Sequence, residues 1–327
     1  MTAHRLGIVG YGNLGRGVEL AVSLQEDLEL VGVFTRRDPS TLTTALEDTA
    51  VRSMDELESM AGEIDVLVLC GGSKSDLPEQ TPQLAARFTV VDSFDTHARI
   101  PEHYAAVDAA AREAGTTALI STGWDPGLFS INRLFGEAIL ASGDTYTFWG
   151  RGLSQGHSDA VRRVDGVAGA VQYTIPSEDA IARVRAGERP ELSTREKHVR
   201  ECFVVLEEGA DAEAVREEIV TMPHYFEPYD TTVHFITAEE LARDHRGAPH
   251  GGFVIRSGES SPGTTQTIEY HLQEESNPEF TASVLVAYAR AAARLAASGE
   301  HGARTPFDVA PGLLSPKSPE QLRAELL

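Results

Sequence analysis

The sequence predicts an α/β fold, a doubly wound parallel sheet followed by a second α+β domain, on three observations. An apolar stretch, residues 6–9, runs straight into Gly10, Gly12 and Gly15 ahead of an amphipathic segment, residues 16–24. Near-continuous apolar runs at residues 28–34 and 64–69 alternate with helical patterns, as parallel strands covered on both faces do. After Pro126 the texture changes to a series of short β-like segments, which marks a second domain.

Taken in order, the glycines form G-x-G-x-x-G between a strand and a helix whose apolar face is Val18, Ala21, Val22 and Leu24. Gly10 suits the tight turn, Gly12 lets the backbone approach a pyrophosphate, and Gly15 lets helix and strand pack closely. The anion then sits at the helix N-terminus, so the pattern reads as a dinucleotide site. At the end of the next strand an NAD enzyme usually carries Asp or Glu for the ribose. Thr35, Arg36 and Arg37 stand there instead, a hydroxyl and two guanidiniums that suit the 2′-phosphate of NADP. The alternative is a pair of solvated loop arginines with Asp38 as a displaced ribose acceptor. NADP ranks above it, because neither Phe34 nor Thr35 serves NAD in that role.

Further on, residues 54–61 read as a short helix and residues 64–69 as a strand ending in Cys70, Gly71, Gly72 and Ser73. Residues 88–91 form the next strand, ending in Asp92, Ser93, Phe94, Asp95, Thr96 and His97. A helix over residues 101–115, with Pro in its first turn and Gly as its stop, leads to a strand at 117–120 and the loop from Ser121 to Gly127. Three strands thus finish in polar or glycine-rich loops on one edge, where open α/β sheets bind ligands.

In the second half a helix over residues 127–142 precedes β-like segments at 146–149, 170–175, 198–206, 230–236, 252–256 and 264–272. Helical patterns at 177–186 and 211–222 separate some of them, and one mixed sheet with helices on one face is the economical expectation. The Ala-rich run at 280–298 is a long helix of high propensity expected to return to the nucleotide domain. The tail from Pro306 reads as loop with a short closing helix near Glu320.

Composition narrows the function. At 327 residues the chain has room for two domains with cores of their own. A formal charge of −22 argues against a nucleic-acid partner. The cations are almost all Arg, with Lys only at 74, 197 and 317, so local anion recognition rests on Arg and backbone amides. Cys70 and Cys202 lie in apolar runs and lack metal-ligand spacing, so packing is expected of them and no metal site. No apolar run reaches the roughly 20 residues that cross a bilayer, and the first residues lack a signal-peptide pattern; a cytoplasmic location and no membrane partner are expected.

Two loops remain: Trp149 to Asp159, glycine-spaced and opening a helix, and Pro249-His250-Gly251-Gly252 before a strand. Together with GYGNLG, TRR, STGWDPG, VQYTIPSEDA and MPHYF they make the chain resemble the meso-diaminopimelate dehydrogenases from about Leu6 to beyond Leu314. The pair STGWDPG and GLSQGHSDA is far more specific than the glycine fingerprint. The resemblance implies a Rossmann-type domain over residues 1–125, completed by helices at about 278–327, and a central α+β domain for substrate binding and dimerisation over 126–277. It implies a homodimer that uses NADP to deaminate oxidatively, and reversibly, the D-centre of meso-2,6-diaminopimelate to L-2-amino-6-oxopimelate and ammonia, in lysine and cell-wall precursor synthesis.

Carried over by position, the cofactor contacts fall on Gly10, Gly12, Asn13, Leu14, Gly15, Thr35, Arg36, Arg37, Cys70, Gly71, Gly72, Ser73, Ser93, Phe94 and Asp95, and on Thr122, Gly123, Trp124 and Asp125. The substrate contacts fall on Asp95, Asp125, Trp149, Gln155, Gly156, Thr174, Arg200, His250 and Asn277. A diamino diacid needs acceptors for its ammonium groups and donors for its carboxylates. Asp95 and Asp125 are the expected catalytic pair beside the D-centre ammonium, either of them relaying the proton, while Arg200, Thr174 and His250 receive the distal L-carboxylate. Arg151 adds a cation inside the substrate loop, which either tunes affinity or points to solvent. Two rivals stand beside this reading: a related dihydrodipicolinate or semialdehyde NADP reductase, which would lack the specific motif pair, and a non-catalytic NADP-binding sensor.

Overall fold

The computed structural model describes residues 3–223 and 225–327, with Gln155 described by its backbone alone and His224 outside the described residues. In chain order the strands are β1 (His4–Val9), β2 (Leu28–Thr35), β3 (Val51–Ser53), β4 (Val66–Leu69), β5 (Val90–Asp92), β6 (Thr117–Leu119) and β7 (Ser142–Trp149). They continue with β8 (Gly152–Leu153), β9 (Val167–Pro176), β10 (His198–Leu206), β11 (Asp230–Phe235), β12 (His250–Ser261), β13 (Thr264–Glu274) and β14 (Gly302–Arg304). The chain divides into two compact units, Met1–Ile131 with Pro278–Leu327, and Asn132–Asn277.

The first unit is built on one seven-stranded sheet in the order β14-β6-β5-β4-β1-β2-β3, parallel throughout. Alternate side chains feed two cores, which is why its strands read as continuous apolar runs. Leu6, Ile8, Val66 and Val68 pack on one face with Val18 and Val22 and with Leu285, Tyr288 and Ala292 of the helix Asn277–Ala297. Val9, Leu67 and Leu69 pack on the other with Leu77, Leu84 and Val107. The Ala-rich helix therefore completes the nucleotide-type sheet. A Cβ at Gly17 would lie only 2.9 Å from that of Ala282, so the small residue sets how closely the two helices approach. Arg290, buried on the same helix, holds Asp27 at 2.6 Å and donates to the Leu314 carbonyl at 2.9 Å, tying the tail to the start of β2.

The strand order reverses beside β1, and the loops after β1 and β4 flank that switch point. Among the strands and α-helices of the first unit, those absent from the sequence expectation are β3, β14 and the helix Leu77–Ala85. The two three-residue edge strands exist through pairing, with no periodicity of their own, and Pro78 and Pro82 obscure the helix pattern. The first helix, Asn13–Ser23, begins three residues earlier than residue 16, because Gly12 serves as its N-cap and accepts the Arg16 N–H at 3.0 Å.

The single mixed sheet expected of the second half is corrected: the unit holds two sheets. One is β11-β10-β9-β8, antiparallel except for the parallel pair β10 and β11, and the other is the antiparallel β13-β12-β7. The division falls at Gly150, in the left-handed region at φ 105°, where the chain leaves β7 and enters β8 in the other sheet. No pattern of polarity announces that switch, because both sheets alternate in the same way.

Candidate functional site

At the switch point the glycine loop has the shape expected for an anion. A Cβ at Gly15 would stand 2.3 Å from the Gly10 carbonyl oxygen, so the close packing of loop and helix requires glycine there. Gly12 caps the helix without a side-chain bond, and the first turn, with Asn13 and Leu14, carries no acid. The opening N–H groups and the positive helix end thus suit an anion.

At the end of β2, Thr35 is buried and its Oγ1 accepts the Arg37 N–H at 3.1 Å. Arg37 donates to the Tyr11 carbonyl at 2.6 Å, and the largely exposed Arg36 pairs with Asp76 at 2.5 Å. Asp76 also accepts the Gly72 N–H at 2.9 Å, and that bond, with the Arg36 charge, holds its carboxyl below the usual range. Tyr11 is placed in turn by the buried Glu19, which accepts its hydroxyl and the N–H groups of Ala45 and Leu46. Asp38 spends its Oδ1 on the Ser40 N–H at 2.9 Å and hydroxyl at 2.8 Å. It is a turn cap, which counts against the displaced-acceptor alternative. The residues present fit NADP: amides for the pyrophosphate, and two guanidiniums beside a hydroxyl for the 2′-phosphate.

The loops after β4, β5 and β6 stand on the same edge. Asp95 donates its N–H to Ser73 Oγ at 2.9 Å, and that oxygen lies 3.3 Å from Thr96 Oγ1, joining two of the expected loops. The third closes on itself: Gly123 N–H meets the Pro126 carbonyl at 2.9 Å, and Leu128 N–H meets the Gly123 carbonyl at 3.1 Å. A Cβ at Gly127 (φ 132°) would stand 1.7 Å from the Gly123 oxygen, so only glycine closes this turn, on which Asp125 sits. Several expected contacts face inward. Phe94 is buried and stacks on His103 at 4.1 Å, Thr122 gives its hydroxyl to the Asp92 carbonyl at 2.8 Å, and Trp124 packs edge-on against Phe129 at 5.0 Å. Ser93 is partly buried on the same loop, and Cys70 and Gly71 form the turn after β4, the Cys70 thiol pushed up by burial.

In the second unit one row of paired residues, Gly152, Thr174, Arg200 and Thr231, crosses β8, β9, β10 and β11. Arg200 is buried, donates to Thr174 Oγ1 and lies 4.0 Å over the Tyr229 ring. Burial lowers its pKa, and its Nε has no partner among the described residues. The His250 ring covers Gly152, where a Cβ would come within 2.4 Å of it. Its Nδ1 accepts the Gly251 N–H at 2.8 Å and lies 3.2 Å from the Gly251 carbonyl oxygen. Asn277 donates to Glu274 Oε2 at 3.0 Å, and Glu274 is the cross-strand partner of His250. Burial pushes the Glu274 carboxyl up to about 7, against the opposing Asn277 bond. Trp149 donates its N–H to His198 Nε2 at 2.8 Å and stacks on that ring, and burial followed by the Arg200 charge pushes His198 down to about 3, keeping it neutral.

Arg151 pairs with Glu201 at 3.0 Å and lies over Tyr173 at 5.3 Å. Those residues alternate with Arg200 and Thr174, so Arg151 serves the opposite face of the sheet. Gly156 lies exposed in the helix Gln155–Val161, while the Gln155 side chain is outside the described residues. Among the described residues no cluster of three or more His, Cys, Asp or Glu forms a metal site, and no helix is long and apolar enough to cross a membrane.

Residues 123–276 match the family described as the diaminopimelic acid dehydrogenase C-terminal domain. The meso-diaminopimelate D-dehydrogenase of Ureibacillus thermosphaericus is 64% identical over 327 residues, 100% of both chains. The chain belongs to the meso-diaminopimelate D-dehydrogenase family. Solved structures agree. A mutant meso-diaminopimelate dehydrogenase of Clostridium tetani E88 with DAP, in which a Gln, a Thr, an Arg, a Pro, a His and an Asn are replaced, superposes with TM-score 0.93 at 52% identity over 99% of both chains. An engineered D-amino acid dehydrogenase bound to NADP+ superposes with TM-score 0.87 at 46% identity, covering 100% of both.

Sequence reasoning about this family member passed over Asp76, Glu19, Asp92, His198 and Glu274. The last two alternate into a strand face only once register is known, and Glu274 reads in sequence as part of the charged run Glu274-Glu275.

Proposed function

We infer that this protein is an NADP-dependent enzyme that oxidatively deaminates the D-centre of meso-2,6-diaminopimelate to L-2-amino-6-oxopimelate and ammonia, reversibly. The observation that carries the reading is Arg200: a buried guanidinium, bonded to Thr174 in a row that His250 covers, and with no ion-pair partner among the described residues. A buried cation without a counter-charge is costly, and a substrate carboxylate supplies the missing anion. The residues replaced in the Clostridium tetani mutant recur in the same order and spacing as Gln155, Thr174, Arg200, Pro249, His250 and Asn277, which supports Thr174, Arg200 and His250 as part of the substrate site.

NADP supplies the hydride acceptor. Gly10 to Gly15 receive its pyrophosphate, Thr35, Arg36 and Arg37 its 2′-phosphate, and the loops of Ser73, Asp95 and Asp125 its nicotinamide end. Asp95 and Asp125 hold the D-centre ammonium through their carboxylate oxygens, and one of them takes the proton that must leave nitrogen before the C–H bond breaks. Trp149, held by His198, belongs to the same unit as Arg200 and Thr174 and is assigned to the substrate with them. We assign the dinucleotide to the unit Met1–Ile131 with Pro278–Leu327, and substrate binding and dimerisation to Asn132–Asn277. Leu134, Phe135 and Ile139, exposed along the helix Leu128–Ile139, support a homodimer. The reaction belongs to lysine and cell-wall precursor synthesis in the cytoplasm.

The test is NADPH formation with the meso, LL and DD isomers. Turnover of meso with ammonia release, and none of LL, is expected. Oxidation of LL as fast as meso would overturn the placement of the two ends, and cofactor binding with no turnover of any isomer would return the sensor reading.

A further inference from the structure

Asp92 ends β5 with its side chain fully buried. Its Oδ1 accepts two main-chain N–H bonds. One comes from Phe94 at 3.0 Å, in the loop that carries Asp95, and the other from Ser121 at 2.9 Å, at the root of the loop that carries Asp125. Its Oδ2 accepts the Thr81 hydroxyl at 2.8 Å and lies 2.8 Å from His103 Nε2. Its own carbonyl takes the N–H of Thr122 at 3.0 Å and the Thr122 hydroxyl at 2.8 Å.

One residue therefore joins two sheet-edge loops and two helices, Leu77–Ala85 and Ile100–Ala114. The bond to Ser121 is made where the chain is least free to relax. Ser121 has φ 57°, the single non-glycine residue in the left-handed region among those described, and such a conformation persists when its surroundings over-determine it. His103 grips the same loop a second way, stacking on Phe94. A buried carboxylate with every oxygen occupied is a rigid joint, since leaving any of these groups unpaired in a dry interior is unfavourable.

We propose that Asp92 is a positioning residue for the reaction: its buried carboxylate locks the loop of Asp95 to the loop of Asp125, and Thr81 and His103 hold that carboxylate in place. The inference rests on the reading of Asp95 and Asp125 as the groups at the D-centre ammonium. Two carboxylates on independent loops would sample a range of separations, and misplacement of about 1 Å at a reacting centre costs on the order of a hundredfold in rate.

Steady-state kinetics, NADP binding and thermal melts are measured on the full-length enzyme with Asp92→Ala, Asp92→Asn, Thr81→Val and His103→Gln. Asp92→Ala is expected to lower kcat by about thirtyfold or more while KM for meso-diaminopimelate and Kd for NADP stay within about threefold. Asp92→Asn keeps Oδ1 as acceptor for both loops and is expected to recover most of that kcat. A folded Asp92→Ala enzyme that melts earlier yet retains its kcat overturns the proposal, because a merely structural residue behaves so. If Asp92→Ala does not fold, Thr81→Val and His103→Gln decide: a several-fold loss of kcat with NADP binding intact in either supports the lock, and full kcat in both overturns it. Asp95→Asn and Asp125→Asn are run beside them. If these two remain active, the reading of the catalytic carboxylates fails; if they are inactive while Asp92→Ala is not, only the positioning role fails.

Discussion

Arg200 donates a hydrogen bond to the hydroxyl of Thr174, its direct partner across the β9–β10 ladder, and stacks 4.0 Å over Tyr229. Both contacts hold the guanidinium in a fixed plane without neutralising it, which is the arrangement a carboxylate-binding arginine needs.

Removing that arginine should therefore act on substrate alone. Truncating one partner of a buried charge pair costs about 2–5 kcal/mol, and about 1.4 kcal/mol is tenfold in affinity, so Arg200→Ala should raise KM for meso-diaminopimelate by more than tenfold. Arg200→Lys should recover little of it, since an ammonium lacks the planar fork. Kd for NADPH, read by cofactor fluorescence, should not move. A folded Arg200→Ala enzyme that has lost NADP binding instead would place the substrate elsewhere.

The cofactor preference should reside in Arg36 and Arg37. Arg36 is anchored to Asp76, which bonds the loop after β4, and Arg37 to the Tyr11 carbonyl in the glycine loop, so both are positioned before any ligand arrives. The double change Arg36→Ala with Arg37→Ala should raise KM for NADP by at least about tenfold, the loss of one to two charge-assisted bonds, and leave that for NAD nearly unchanged. Equal use of both cofactors by the unmodified protein would contradict the assignment.

Stability should depend on pH through Glu274. In the unfolded chain its carboxyl ionises near 4.5, whereas burial holds it protonated up to about 7 in the folded protein. The folded state therefore binds the extra proton between those values, and the stability contributed by this group is full below about pH 4.5 and falls as pH rises to 7. The loss is on the order of 3 kcal/mol. Glu274→Gln mimics the protonated form, so it should raise Tm at pH 8 and leave Tm at pH 5 little changed. An equal shift at both values would show that the carboxyl titrates normally.

What the sequence by itself determined is what local chemistry carries. The glycine spacing at Gly10, Gly12 and Gly15 dictates a turn and a close approach whatever surrounds it, and the apolar runs ending at Val9, Phe34 and Leu69 identify buried parallel strands by composition alone. Thr35, Arg36 and Arg37, a hydroxyl and two guanidiniums where an acid would serve NAD, are the basis for expecting NADP. Tertiary structure decided what depends on partners distant in the chain. The strands β3 and β14 exist through pairing, the second half splits into two sheets at Gly150, and Arg151 leaves the face of Arg200 because cross-strand register assigns it to Glu201 and Tyr173. Asp92, His198 and Glu274 carry no local signature: a buried polar side chain is defined by the donors and acceptors that folding brings to it, and here those come from other strands, loops and helices.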